Sequence, residues 1–100
     1  MIVAKFGGTS VADADAIART ASIVRGRLAR RPVVVVSAMA GVTNELLALA
    51  EQAVAGQLIA AVQGVEALRA RHFAETERLL GPGDAAREMC AEMRDRKSVV

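Results

Sequence analysis

One hundred residues, 53% of them hydrophobic, suffice for one small domain or a portion of a larger one, and this composition excludes a disordered chain. Thirteen basic against eleven acidic residues leave a formal charge of +2. Arg19, Arg25, Arg27, Arg30, Arg31, Arg69 and Arg71 stand at helix-surface spacing without interleaved aromatics, a pattern of solvated helix faces that argues against nucleic-acid binding.

The single Cys90 excludes an internal disulfide, and with His72 as the one histidine it offers no metal-ligand set. Cys90 therefore reads as a small semi-buried side chain. The N-terminal apolar run stops at Lys5, too short for a signal peptide. No stretch reaches the ~18 apolar residues of a membrane helix. The expectation is a cytoplasmic protein that binds neither membrane nor nucleic acid.

"MIVAKF" opens the chain as a short buried strand bounded by Gly7 and Gly8. From Val11 to about Arg30 the period changes, and Ile17, Ala21, Val24 and Leu28 recur at helical spacing. Ser10 or Asp13 can cap this helix. Gly26 weakens its last turn by about 1 kcal/mol, and Pro32 ends it. "VVVVS" (33–37) is a continuous apolar run, as suits a parallel strand covered on both faces. Strand, helix and strand make a βαβ unit.

After "SAMAGVTN" (37–44) a second helix runs over 44–55, and Gly56–Gln57 interrupts it. A longer one reaches Leu80, with Val65, Leu68, His72 or Phe73, Thr76 and Leu79 along one side. "GPGD" (81–84) breaks the chain. Asp84 can cap a last helix to about Arg96, which pairs with its predecessor as a helical hairpin. "KSVV" (97–100) reads as the first residues of a further strand, in a chain that looks cut there.

"KFGGTSV" (5–11) has the components of an anion site. Lys5 stands at the carboxyl end of a strand, where open parallel sheets bind ligands. Gly7 and Gly8 let backbone N–H groups approach an anion and take turn conformations that other residues avoid. Thr9 and Ser10 lead into a helix N-terminus, whose N–H groups and dipole favour negative charge. The order excludes a P-loop, whose lysine follows its glycines. On these residues alone a phosphate loop and a plain glycine turn are equally good readings.

The second loop repeats the design at the same sheet edge, with the hydroxyls of Ser37 and Thr43 and the amide of Asn44. Taken singly, Ser37 ends a strand and Thr43 or Asn44 caps a helix. Taken together, the two loops form a cleft for a phosphate and a small polar acceptor.

"KFGGTSV", followed about thirty residues later by "VVVVSAMAGVTN", resembles the aspartate kinases of the amino-acid kinase superfamily. The likeness is good over residues 2 to 50, and the helices over 56–95 fit that family's inserted helices only in character. It implies an α/β fold: the N-terminal part of the amino-acid kinase fold, with parallel strands, flanking helices and a helical hairpin insertion. Residues 1–55 would be the phosphate- and substrate-binding part, and 56–97 the insertion.

The resemblance implies transfer of the γ-phosphoryl group of ATP, with Mg²⁺, to the β-carboxylate of L-aspartate, the entry to lysine, threonine and methionine synthesis. Lys5 would neutralise charge on the transferring group. Gly7, Gly8 and Thr9 would donate to ATP phosphates, Ser10 would support the turn, Ser37 would lie near the reacting carboxylate, and Thr43 would contact aspartate. No metal ligand is assigned. The parent enzyme would be a homo-oligomer.

The family's acceptor glutamate in an "S-x-G-E" segment, its nucleotide-binding half and its ACT domains find no counterpart in these residues. Glu88, Glu92 and Asp95 read as solvated helix charges and take none of those roles. The expectation is therefore an inactive N-terminal fragment of an aspartate kinase. The alternative is a non-catalytic truncated product or interaction module. An unpaired sheet edge and an uncovered apolar face should leave the isolated chain loosely packed or prone to aggregate.

Overall fold

The computed structural model describes residues 1–95, so "KSVV" lies outside the described residues. Strand β1 (Ile2–Phe6) pairs in parallel with β2 (Pro32–Val36), Lys5 standing opposite Val35 and Phe6 opposite Val36. Between them come a 3-10 turn over Gly8–Val11, helix α1 (Ala14–Arg25) and a second 3-10 turn over Leu28–Arg30. Helices α2 (Val42–Val54), α3 (Leu58–Leu80) and α4 (Asp84–Asp95) follow. The architecture is the α/β one expected, parallel strands with flanking helices and a hairpin.

Helix α1 ends earlier than Pro32. It stops at Arg25, where Gly26 forms the C-cap, because glycine is the costliest non-proline residue to hold in a helix. Arg31 then takes a left-handed conformation (φ 54°) and turns the chain into β2, which begins on Pro32 itself. At the other end Asp13, not Ser10, is the cap, accepting the Ala16 N–H at 2.9 Å. The expected apolar stripe of α1 does face the sheet. Ile17, Ala21, Val24 and Leu28 line a groove with Val34 and Val36, but the groove, about 500 Å³, is open.

The expected two-sided cover of β2 is therefore absent. Val33, Val34, Val35 and Val36 are 42–57% exposed. Strands alternate their side chains, so Val34 and Val36 share the α1 face with Ala4 and Phe6. Val33 and Val35 share the opposite face with Val3, itself 71% exposed, and with Lys5. Among the described residues no helix covers that second face, so a run suited to burial stands bare.

The core is small and made of small side chains. Val11, Ala14, Ala16, Val42, Ala86 and Cys90 are its buried apolar residues among those described, and no large side chain is fully buried. The radius of gyration is 15.7 Å, against about 13 Å for a compact domain of this length. The chain is elongated because α3 projects as a long arm and α4 folds back along it.

The hairpin forms as expected. Gly81 (φ 76°) and Gly83 (φ 148°) take conformations that side chains disfavour, which lets the chain reverse around Pro82. Asp84 is the first residue of α4 rather than its cap, and its carboxylate pairs with Arg87. Val65, Leu68, His72 and Phe73 on α3 face Met93 on α4, and the Arg94 guanidinium stacks 4.8 Å from the centre of the Phe73 ring. His72 donates from Nδ1 to the Leu68 carbonyl at 2.8 Å, a local bond within its own helix. Cys90 is buried rather than half-buried, beneath the α3–α4 contact.

Candidate active site

The parallel pairing carries both small-residue loops to one edge of the sheet. The ladder continues one step beyond β2, where the Ser37 N–H donates to the Phe6 carbonyl at 3.1 Å. A Cβ built on Gly8 would lie 3.8 Å from the Ala38 carbonyl oxygen and 3.9 Å from Ser37 Oγ. Gly8 is thus where the loops touch. Farther along, the Ala40 N–H reaches the Ala12 carbonyl at 3.4 Å.

Neither glycine of the first loop needs to be glycine for its backbone. Gly7 has φ −78°, and Gly8 is not among the positive-φ residues, so unusual turn conformations do not explain the pair. Packing does not explain it either, since nothing lies within 4 Å of a Cβ at Gly7 and only ordinary contacts await one at Gly8. What remains is the open backbone, which a ligand can approach closely.

The helix behind this loop is not the anion site that the sequence suggested. Its N-terminal amides already hold carboxylates. The Ala14 N–H donates to Glu75 Oε2 at 2.7 Å and the Ala16 N–H to Asp13 Oδ1 at 2.9 Å. Helix α1 begins only at Ala14, four residues beyond Ser10, because the 3-10 turn intervenes. Among the described residues, the donors left to an anion include those opening that turn, at Gly8 and Thr9, since a helix cannot satisfy its own first N–H groups. Ser10 closes the turn through its N–H to the Gly7 carbonyl at 3.0 Å.

In the second loop the cap position belongs to Gly41, at φ 78°, not to Thr43 or Asn44. Both of these lie inside the first turn of α2 and are exposed. Capping, the ordinary role open to them, is therefore not theirs. Lys5, Thr9, Ser37 and Thr43 make no side-chain hydrogen bond with the described residues. Lys5 leaves the sheet on the bare face, away from α1.

Three residues that matter to this geometry carry no local sequence signal. Thr20 donates its hydroxyl to the Ser10 carbonyl at 2.6 Å. Arg71 reaches the Ala12 carbonyl at 3.4 Å and Glu45 at 3.5 Å. Glu75 holds the start of α1 and also pairs with Arg78 at 3.1 Å. They lie 10 to 61 positions from the main-chain groups they hold, beyond the reach of periodicity.

The model of the amino acid kinase family matches residues 1–94. The chain belongs to the amino acid kinase family. Among the chain's curated relatives, lysine-sensitive aspartokinase 3 of Escherichia coli strain K12 is 48% identical over 82 residues, covering 82% of the chain and 17% of the relative. The aspartokinase of Rickettsia felis is 50% identical over 54 residues, 52% of the chain and 14% of the relative. A Haemophilus influenzae protein provisionally named as an inactive aspartokinase 3 is 62% identical over 48 residues, 48% of the chain and 39% of the relative. The chain therefore spans less than a fifth of the length of the first two relatives. No solved structure matches it.

Proposed function

We propose that these residues form the phosphate-gripping and acceptor-side part of an aspartate kinase, which passes the γ-phosphoryl group of ATP to the β-carboxylate of L-aspartate. The observation that carries this reading is the contact of the two loops at Gly8, which sets Ser37 beside that glycine. The aspartokinase relatives supply the substrate class.

Phosphoryl transfer asks little covalent chemistry of a protein, so positioning and charge stabilisation account for most of the acceleration. Lys5 offsets charge on the transferring group. The N–H groups of Gly7, Gly8 and Thr9 hold ATP phosphates, and Ser10 closes the turn that presents them. Ser37 lies toward the reacting carboxylate, and Thr43 contacts aspartate.

Mg²⁺ would arrive with the nucleotide, as it commonly does when phosphates supply most of its ligands. No group of three His, Cys, Asp or Glu that could hold a metal exists among the described residues. The carboxylates nearest the loop, Asp13 and Glu75, are held by main-chain N–H groups. The described residues do not fit the ion by themselves. No helix among them is long and apolar enough to cross a membrane.

A second reading, a module that binds phosphate without turnover, is favoured by the bare valines of β2. Their exposure suits a surface that other protein covers before chemistry can be sealed from water. The two readings part on one assay. The 100 residues alone should form no acyl phosphate from ATP and aspartate when trapped with hydroxylamine, yet should bind ATP. Lys5→Ala should weaken that binding about ten- to hundredfold, since bonds to charged groups contribute ~1.5–3 kcal/mol. Equal ATP affinity in the wild type and Lys5→Ala would remove the phosphate role. A Lys5-dependent acyl phosphate would remove the module reading.

A further inference from the structure

We propose that Thr20, on α1, is a positioning residue for the glycine loop, holding through the Ser10 carbonyl the turn that presents N–H groups to phosphate. The inference rests on reading that loop as the phosphate site. Thr20 is the buried polar residue among those described, at 7% exposure. A threonine inside a helix ordinarily bonds back to the carbonyl four residues earlier. This one reaches ten residues back and out of its helix, to the Ser10 oxygen at 2.6 Å.

That bond ties a peptide already engaged on its other side, since the Ser10 N–H holds the Gly7 carbonyl at 3.0 Å. The turn is thus closed from within by Ser10 and anchored from behind by Thr20. Farther along, Arg71 and the Ala40 N–H hold the Ala12 carbonyl, and Glu75 holds the Ala14 N–H. The Ser10 and Ala12 carbonyls, which would repel an anion, are therefore engaged from behind, while among the described residues the amides of Gly8 and Thr9 stay unclaimed. A buried hydroxyl without a partner is costly, and alanine would suit the helix better. The residue type is explained by its bond to the loop.

Thr20→Val removes the hydroxyl and keeps the branched shape; Thr20→Ser keeps the hydroxyl. Hydrogen exchange of each 100-residue chain, resolved by residue, reads the tie without any ligand. Titration with inorganic triphosphate, followed at the Gly7, Gly8 and Thr9 amides, reads its consequence. Thr20→Val should speed exchange at Ser10 and Val11 about tenfold, the effect of one net hydrogen bond. It should leave the β1–β2 amides unchanged and weaken triphosphate binding by a similar factor. Thr20→Ser should match the wild type in both.

Wild-type exchange at Ser10 and Val11 in Thr20→Val overturns the proposal. So does a Thr20→Ser chain as fast as Thr20→Val, because packing rather than the hydroxyl would then hold the loop. Should Thr20→Val unfold, Thr20→Ser decides alone: intact loop protection supports the tie, and loss confined to Ser10 and Val11 overturns it. A wild-type chain in which triphosphate shifts no amide from Gly7 to Thr9 overturns the phosphate reading. The exchange data would then still show whether Thr20 holds the turn.

Discussion

The two loops at the sheet edge look alike in sequence, small residues between a strand and a helix, yet they are held in different ways. The first, from Gly7 to Asp13, is tied by side chains from α1 and α3: Thr20 on the Ser10 carbonyl, Arg71 on the Ala12 carbonyl, and Glu75 on the amide that follows Asp13. The second, from Ser37 to Gly41, hangs on main-chain bonds. Its Ser37 and Ala40 N–H groups donate to Phe6 and Ala12, and its cap is a left-handed glycine without a side-chain bond. The first loop is anchored to the body of the chain by side chains, and the second to β1 and to the first loop by main-chain bonds. A loop that grips a highly charged group gains from rigid support, because donors already in place need no reordering when the charge develops.

That asymmetry can be broken from either side. The largest effect should come from Glu75→Ala, which leaves the Ala14 N–H without its acceptor and Arg78 with Asp15 as its remaining carboxylate among the described residues. Losing a cap of this kind costs ~1–2 kcal/mol, so exchange at Ala14 should rise about five- to thirtyfold. The change should spread to Ala40, whose acceptor Ala12 lies two residues away. Glu75→Gln keeps an acceptor oxygen and should recover most of the protection. A response that stops at Ala14 would dissolve the proposed dependence of one loop on the other.

Gly41→Ala attacks from the opposite side. At φ 78° a Cβ is disfavoured by ~1–2 kcal/mol, and exchange at Ala40 and Val42 should rise at least fivefold. Ser10 and Val11 should stay as protected as in the wild type, since nothing in the second loop holds them. The smallest effect belongs to Arg94→Ala, which removes the stacking on Phe73. It should loosen the α3–α4 contact by only ~0.5–1 kcal/mol and change neither loop. Faster exchange at Ser10 in that variant would mean that the whole hairpin, not the Arg71 and Glu75 contacts alone, supports the site.

Much of this arrangement is legible in the chain itself. The change from the apolar run of β1 to the three-to-four spacing of α1 marks the βαβ unit. "GPGD" marks the reversal between α3 and α4, and the Ile17, Ala21, Val24 and Leu28 stripe identifies the side of α1 that faces the sheet. The lysine–glycine pair and the second small-residue loop mark the edge where a site would lie. Those signals are local: each depends on neighbours within a turn or two of chain.

Other features could not be read that way. Ser10, Asp13, Thr43 and Asn44 are all acceptable caps by residue type, and the conformations of Asp13 and Gly41 chose among them. The helix behind the glycine loop resembled a free anion site until α3 delivered Glu75 to its first amide across 61 residues of chain. The four valines of β2 specify a strand suited to burial, but a strand cannot supply its own cover. By itself the sequence determined the elements, their apolar faces and the edge at which the two loops meet. Only the tertiary structure decided which amides are occupied, which face of the sheet is bare and which side chains brace the loop. Periodicity encodes a residue's neighbours along its own element, whereas a hydrogen-bond partner many turns away is set by how the helices pack.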